Sequence, residues 1–261
     1  MDRQTIGIIS GKGGVGKSTI AVNLATIFAS SDYDNLLIDG DTSNPSVGLH
    51  LGVWQHSNGL QDVLAGKISP EEAVVLHPAT GIRVIPSSLN YKREVSMKNL
   101  SKVVEGIKTY KCIIIDSPPG LSEEVENIMK ACSELVVVTT PDVPSVTSAT
   151  KIIDLAETHR VGVAGLVVNR ILNKKYELHM QEIESLCNAR IIAKIPEDSR
   201  VPESIAVKIP ITMYHPNSPA SIALNQLARE LSGRRISQPQ YAGVGIFGRF
   251  INFVKRVLGR V

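Results

Sequence analysis

The sequence predicts an α/β protein with a doubly wound, mostly parallel sheet and helices on both faces. Short apolar runs rich in β-branched residues recur along the chain, as expected for strands buried on both sides. Stretches of helical spacing lie between these runs, and such alternation is typical of this class. A glycine-rich loop joins the first strand to the first helix, at the edge where such sheets bind ligands. The predicted strands are residues 5–9, 35–39, 82–86, 112–116, 135–140, 163–169 and 190–195.

The end of the globular part is marked by a helix signal followed by linker-like sequence. Ser218 and Pro219 supply a cap and a first-turn proline, which predict a last helix ending at Leu231. The residues that follow have the composition of a linker. We therefore expect a globular domain over residues 1–231, a flexible linker over 232–242 and a C-terminal amphipathic helix over 243–261.

Length and composition restrict the class of protein. The chain has 261 residues, 43% of them hydrophobic, which is enough for one good core. Its three cysteines, Cys112, Cys132 and Cys187, are too few and too scattered for a disulfide framework or a zinc site. The sequence shows neither a signal-peptide pattern nor an apolar run of transmembrane length, so a cytoplasmic location is expected.

The loop after the first strand matches the phosphate-binding pattern G-x-x-x-x-G-K-[ST] without a gap. Its glycines permit backbone conformations in which successive N–H groups point at phosphate oxygens. Lys17 would neutralise the β- and γ-phosphates, and the Ser18 hydroxyl would bind Mg²⁺. The alternative is a glycine-rich turn that matches by chance, which the preceding strand and following helix disfavour. The residues predicted to bind nucleotide here are Gly11, Lys12, Gly13, Gly14, Val15, Gly16, Lys17, Ser18 and Thr19.

A second lysine in the loop narrows the family. With Lys12 included, residues 12–19 resemble the deviant Walker A ATPases of the MinD/ParA family, and the likeness extends over about residues 2–231. The resemblance implies ATP and Mg²⁺ as cofactors and an ATP-dependent homodimer. It also implies that Lys12 reaches the partner's ATP and acts with Lys17 in catalysis. The alternative for Lys12 is an exposed loop lysine without such a role.

Carboxylates follow two of the predicted strands. Asp39 and Asp41 form a D-x-D at the end of the second strand, and Asp116 ends an apolar run. A buried strand that presents one carboxylate to the water shell of Mg²⁺ is what a Walker B segment requires. The resemblance implies that Asp41 positions the attacking water and that Asp39 and Asp116 order the metal shell. Alternatively, the D-x-D only forms a turn.

Two further stretches resemble the pocket for the nucleotide base in this family. A predicted strand ends in Asn169, and the resemblance implies that its amide reads adenine. Pro196, on the loop beside it, is expected to line the same pocket. Without the resemblance, Asn169 would be interpreted as a strand-end cap. Residues 140–146 also resemble the family and are expected to shape the dimer face.

The C-terminal segment differs from the rest of the chain in charge and pattern. Residues 1–230 carry 22 basic and 25 acidic groups, whereas the remainder carries six basic groups and no acidic one. On a helical projection its apolar residues fill one arc of roughly 160° and the cations lie opposite. This is typical of a helix in the surface of an anionic membrane, and MinD-type members of the family end in one. The alternative is docking on the globule or on a partner. The predicted membrane-binding residues are Ile246, Phe247, Arg249, Phe250, Phe253, Val254, Lys255, Arg256, Val257 and Leu258.

These features together predict a Mg²⁺-dependent ATPase that cycles between the cytoplasm and the inner face of the cell membrane. It would regulate the site of cell division or position other machinery, together with a protein partner that is positioned or that stimulates hydrolysis. The alternatives are a ParA-like ATPase of DNA partition, an ATPase that positions flagella or chemoreceptors and, more weakly, a small-molecule synthetase. Nucleic acid is not an expected partner, because the globule is acidic and DNA binding gives no reason for a wide apolar face.

Overall fold

The computed structural model describes residues 3–53, 58–89 and 95–233. The strands in these residues are β1 (Gln4–Ile9), β2 (Asn35–Asp39), β3 (Val75–Leu76), β4 (Arg83–Ile85), β5 (Cys112–Asp116), β6 (Glu134–Thr139), β7 (Gly162–Ile171) and β8 (Ile191–Pro196). They form one sheet in the order β3-β4-β2-β5-β1-β6-β7-β8. All pairings are parallel except that of β3 with β4.

The helices of the described residues lie between these strands and after β8. They are α1 (Lys17–Ser30), α2 (Val47–Leu51), α3 (Leu60–Leu64), α4 (Leu100–Gly106), α5 (Glu123–Ala131), α6 (Val143–Thr158), α7 (Met180–Cys187), α8 (Arg200–Ala206), α9 (Ile211–Tyr214) and α10 (Pro219–Ser232). Two short 3-10 helices, Glu71–Ala73 and Met97–Asn99, complete the set. No helix in this part of the chain is long and apolar enough to cross a membrane.

The sheet is covered on both faces, which gives two separate core layers. Side chains of a strand alternate between faces, so Ile8 packs into one layer and Ile9 into the other. The first layer contains α1 and α10, and the second contains α4, α5, α6 and α7. Because both faces are buried, the central strands are nearly continuous apolar runs. The predicted doubly wound α/β fold is confirmed.

The clearest differences from the predicted strands are in β3, at one edge of the sheet, and in β7, next to the edge strand β8. The antiparallel strand β3 was not predicted, because it has only two residues and Leu76 is exposed. Strand β7 runs two residues beyond the predicted end at Asn169. The last helix agrees closely with the prediction: the Ser218 hydroxyl accepts a hydrogen bond from Ser221 N, and the helix ends at Ser232.

The parallel order brings the chemistry-bearing residues to one edge of the sheet. Strands β2, β5 and β1 are neighbours, so their carboxyl ends meet. Asp39 at the end of β2 pairs in register with Asp116 at the end of β5. The phosphate loop leaves β1 at the same edge. The predicted membrane-binding residues and all but the first two residues of the predicted linker lie outside the described part of the chain.

Candidate nucleotide-binding site

The glycine-rich loop between β1 and α1 has a conformation that requires glycine at two positions. Gly14 has φ +78° and Gly16 has φ +97°, values that residues with a side chain rarely adopt. A Cβ atom on Gly16 would also lie 2.3 Å from the Asn169 side-chain nitrogen. Gly16 is the N-cap of α1, and neither a side-chain cap nor an acidic residue occupies the first turn. The start of this helix is therefore suited to an anion.

Two side chains of β7 donate hydrogen bonds to the backbone of the glycine-rich loop. The amide nitrogen of Asn169 donates to the backbone oxygen of Val15 at 2.7 Å. Arg170 donates to the backbone oxygen of Gly14 at 3.3 Å and forms an ion pair with Glu197 at 2.8 Å. These contacts hold the loop backbone against β7, although the contacting residues are more than 150 positions apart in the sequence.

Lys17 is buried among carboxylates. Its side chain lies at the start of α1 with only 7% of the residue exposed. Burial lowers the pKa of Lys17, and the negative charges of Asp116 and Asp41 act in the opposite direction. A buried ammonium needs compensating charge, and these two aspartates supply it within the protein.

Asp116 is fully buried, and neither of its carboxylate oxygens accepts a hydrogen bond of normal geometry. Burial raises its pKa to about 7, although the neighbouring Ser18 hydroxyl and Lys17 charge lower it. Such a carboxylate is suited to a hydrated cation next to it. Among the described residues no cluster of three or more histidine, cysteine or acidic side chains could hold a metal alone. Mg²⁺ fits this arrangement because it usually binds through few protein ligands, waters and substrate phosphates.

Asp39 ties the loop after β2 to the end of its own strand. One carboxylate oxygen accepts from Asp41 N at 3.3 Å and the other from Val47 N at 3.1 Å. Burial and the charges of Asp116 and Asp41 raise the pKa of Asp39 well above its usual range. The sequence predicted a metal-shell role for Asp39, and the structure adds this contact with the backbone of α2.

Asp41 lies beside the same edge and is nearly buried. Burial raises its pKa, whereas a hydrogen bond from Asn44 N, at 2.8 Å, and the charge of Lys17 lower it. The pKa values of Asp39, Asp41 and Asp116 are thus all raised. The site is short of positive charge, and a divalent cation arriving with a nucleotide would correct this.

Lys12 lies apart from the buried lysine, at the rim of a cleft. Half of its side chain is exposed, and its ammonium nitrogen is 3.7 Å from Asp142 Oδ1. The cleft has a volume of about 520 Å³ and is also lined by Gly13, Arg170 and Tyr176. Asp142 was not singled out from the sequence, although an aspartate directly before a helix with proline in its first turn is a cap signal.

Asn169 and Pro196 both line one pocket. This pocket has a volume of about 240 Å³, adjoins Gly16 and Thr19, and has apolar walls that include Leu224. Its size and lining suit a planar base. The amide nitrogen of Asn169 is engaged by the phosphate loop, however. No local sequence pattern predicts this hydrogen bond, because Asn169 and Val15 are far apart in the sequence.

Comparisons with known proteins decide the family. A family model described as ParA, NUBPL iron-transfer P-loop NTPase, matches residues 2–232. This chain belongs to the ParA/MinD family of P-loop NTPases. An uncharacterised ATP-binding protein of Methanocaldococcus jannaschii is 33% identical over 233 residues, and 88% of each chain is covered. The septum site-determining protein MinD of Thermotoga maritima is 31% identical over 242 residues, again with 88% of each chain covered.

Solved structures of the ParA/MinD family have the same fold. MinD of Pyrococcus horikoshii complexed with Mg-ADP matches with a TM-score of 0.83 at 28% identity, covering 88% of this chain and 96% of that one. A chain of the MinC:MinD cell division protein complex of Aquifex aeolicus matches with a TM-score of 0.80 at 28% identity, covering 90% and 97%. The prediction of ATP with Mg²⁺ as cofactors is confirmed at the level of this family.

Proposed function

We propose that this chain is an ATPase switch that binds Mg-ATP at the carboxyl edge of its sheet, dimerises and hydrolyses the nucleotide. The observation that carries the proposal is the buried Lys17 near Asp116, whose carboxylate oxygens accept no hydrogen bond of normal geometry. Around this pair lie a glycine-rich loop and a helix start without acidic residues. Phosphoryl transfer requires positioning and charge stabilisation rather than covalent chemistry, which such a site can supply.

Each residue of the site has one task in this mechanism. Lys17 and the loop amides bind the β- and γ-phosphates, and Ser18 and Asp116 would hold Mg²⁺, directly or through its waters. When bound, the cation neutralises charge on the phosphates. Asp41 orients the attacking water and accepts its proton. Asp39 supports the metal shell and keeps the Asp41 loop attached to α2.

Dimerisation is assigned to Lys12. Its side chain is half-exposed at the cleft rim, whereas Lys17 is already buried in the chain's own site. A half-exposed second loop lysine is accessible to the phosphates of a facing copy once its ion pair with Asp142 opens. An ATP-dependent dimer would then complete both sites at once, and hydrolysis would release it.

The amphipathic helix predicted for residues 243–261 supplies the membrane anchor in this proposal. Its apolar arc and opposing cations support that role in the sequence. A single such helix should bind weakly, but a dimer presents two of them to one surface. The second insertion is then intramolecular, and avidity can exceed single-site affinity by roughly 10²–10⁴. ATP binding thereby recruits the protein to the inner face of the membrane.

The process served is spatial regulation, of the division site or of other cellular machinery. The support is likeness to proteins named septum site-determining protein MinD and to a chain from a MinC:MinD complex. We propose a protein partner that binds the ATP-bound dimer and is positioned by it or stimulates its hydrolysis.

Iron–sulfur transfer, named in the description of the matching family model, is not part of the proposal. Cluster ligands are thiolates that must be accessible to the metal. Burial raises the pKa of Cys112 to about 12 and also raises those of Cys132 and Cys187. Cys112 and Cys187 are buried, and the sequence contains no C-x-x-C.

The decisive experiment compares the full chain with Phe250→Glu and with Phe250→Leu as the apolar control. We expect the wild type to hydrolyse ATP, to form dimers with ATP and to sediment with anionic vesicles in ATP more than in ADP. Phe250→Glu should lose only the sedimentation, because it places a charge in the apolar arc. Absence of ATP binding would contradict the site. Retained sedimentation of Phe250→Glu would contradict the anchor, and a salt-sensitive DNA shift would favour DNA partition instead.

A further inference from the structure

A serine in the loop after the D-x-D contacts the serine of the phosphate loop. The hydroxyl of Ser46 donates to the hydroxyl oxygen of Ser18 at 2.6 Å. No motif in the sequence distinguishes Ser46. The contact nevertheless joins the loop that carries Asp41 to the residue predicted to bind Mg²⁺.

The hydroxyl of Ser46 is not used for its own helix. Ser46 is the N-cap of α2, where a serine ordinarily accepts a hydrogen bond from the helix backbone, but its side chain forms no such bond. Asp39 accepts the hydrogen bond of Val47 N instead, at 3.1 Å. The Ser46 hydroxyl therefore does not cap α2, and its proton is directed at Ser18.

A second contact holds Ser46 in place. His50, one turn later, lies with Nδ1 2.8 Å from the backbone oxygen of Ser46 and Nε2 3.4 Å from the Thr19 hydroxyl. The imidazole is partly buried between α2 and α1. Ser46, the N-cap residue of α2, thus contacts Ser18, and His50 of α2 contacts Thr19, the next residue in the first turn of α1.

We propose that Ser46 is a positioning residue that orients the Ser18 hydroxyl for Mg²⁺ and links the Asp41 loop to the metal. This inference rests on the proposed function. A hydroxyl has one donor and two acceptor positions. The hydrogen bond from Ser46 uses one acceptor position of Ser18. The second acceptor position would be left for the cation, and the Ser18 proton for Asp116. All three uses are compatible at once.

The consequence is a coupling between metal binding and the hydrolytic loop. Asp41 and Ser46 belong to the same short loop, and Asp41 accepts from Asn44 N within it. Cation binding at Ser18 therefore stabilises the loop that carries the water-orienting carboxylate. The magnitude should be that of one hydrogen bond.

The test measures the affinity for fluorescent N-methylanthraniloyl-ADP with excess Mg²⁺ and with EDTA, in wild type and three variants. Ser46→Ala removes the hydroxyl, Ser46→Thr retains it, and the exposed Ser43→Ala is the control on the same loop. Ser46→Ala should lose about fivefold of the gain in affinity that Mg²⁺ provides, with unchanged affinity in EDTA. Ser46→Thr and Ser43→Ala should keep the wild-type gain.

The possible results separate this inference from the function on which it rests. An unchanged Mg²⁺ gain in Ser46→Ala, or an equal loss with Mg²⁺ and with EDTA, would overturn the positioning role while leaving the ATPase proposal intact. A wild-type protein without any Mg²⁺ gain would contradict the proposed metal site, and the inference would fall with it. Thermal unfolding of the four proteins without nucleotide confirms that each variant is folded.

Discussion

The ammonium of Lys12 lies 3.7 Å from the carboxylate of Asp142 in the same chain. Partial burial acts to raise the pKa of Asp142, but hydrogen bonds from Thr140 and Ser145 and the charge of Lys12 bring it below its usual value. In the single chain, the lysine proposed to reach a partner's ATP is therefore held by its own aspartate. Dimerisation must break this ion pair before Lys12 can cross.

Asp142→Asn should strengthen ATP-dependent dimerisation, because it removes the charge that competes for Lys12. Asparagine still accepts the hydrogen bond from Ser145 N that caps α6. The gain should be a fewfold, since exposed ion pairs contribute about 0.2–1 kcal/mol. Sedimentation equilibrium with ATP measures it, and Lys12→Ala, which should bind nucleotide without dimerising, is the reference. Weaker dimers in Asp142→Asn would mean that Asp142 itself contacts the second copy.

Lys17→Ala should lose nucleotide binding. Removing one partner of a buried charge pair costs about 2–5 kcal/mol, which corresponds to a loss of affinity of roughly thirtyfold to several thousandfold. Titration calorimetry with ATP and Mg²⁺ checks this. The matched control is Lys151→Ala, an exposed lysine of α6. Near-normal ATP affinity in Lys17→Ala would contradict the assignment of the phosphate loop.

Asp41→Asn should bind ATP and dimerise but lose hydrolysis by about a hundredfold or more, as expected when a positioned carboxylate no longer assists proton transfer. Asparagine preserves an acceptor for Asn44 N, so the loop keeps its hydrogen bond. Single-turnover hydrolysis together with light scattering would show a persistent ATP-bound dimer. Hydrolysis at the wild-type rate would assign the water-orienting role to another residue.

Asp116→Asn should make the nucleotide-free protein more stable at pH 8. The folded-state pKa of Asp116 is raised to about 7 from an ordinary 3.8, so the ionised form opposes folding above pH 7. As the pH falls from 7 towards 4, the native carboxyl binds a proton before the unfolded one, and the advantage of the variant should shrink.

Asp198→Asn is the matched control, because it should change the stability at pH 8 in the opposite direction. Burial acts to raise the pKa of Asp198, but hydrogen bonds from Arg200 and Ala220 N and the charge of Arg200 bring it below its usual value. Its ionised form therefore stabilises the fold, and the variant should unfold at lower temperature at pH 8. Thermal unfolding of both variants and wild type from pH 8 to pH 5 measures the two signs. Equal responses would contradict the assignment for Asp116.

The sequence predicts those parts of the site that are built from neighbouring residues. The phosphate loop, the D-x-D and Asp116 each follow a strand within a few positions, so local pattern and strand order suffice to bring them together. The fold class is predictable for the same reason, because strands buried on both faces produce apolar runs.

Contacts between distant segments could not be predicted in this way. The pairing of Lys12 with Asp142 joins two loops of the carboxyl edge, and Ser46 meets Ser18 only because α2 folds back against α1. No spacing rule encodes either contact. The short strand β3 was missed because two residues, one of them exposed, do not form a pattern.

Asn169 allows a direct test between the adenine-reading role that the resemblance implies and the loop-holding role that its contact with Val15 indicates. Its amide nitrogen donates to Val15 O at 2.7 Å and lies where a side chain on Gly16 would have to be. The residue also borders the pocket of about 240 Å³ that suits a base. If it holds the loop, Asn169→Ala should weaken every ligand that uses the phosphate loop. If Asn169 recognises adenine, the variant should lose affinity for adenine nucleotides only.

We expect the first outcome, because the donor is already engaged and buried. Asn169→Ala should weaken ATP, GTP and inorganic tripolyphosphate by the same factor of about five, the value of one buried hydrogen bond. Competition against a fluorescent nucleotide measures all three affinities in one format. Asn225→Ala, which removes an asparagine whose amide nitrogen donates to the Ser221 backbone oxygen within α10, is the control. A loss confined to ATP would contradict the loop-holding role and assign Asn169 to recognition of the base.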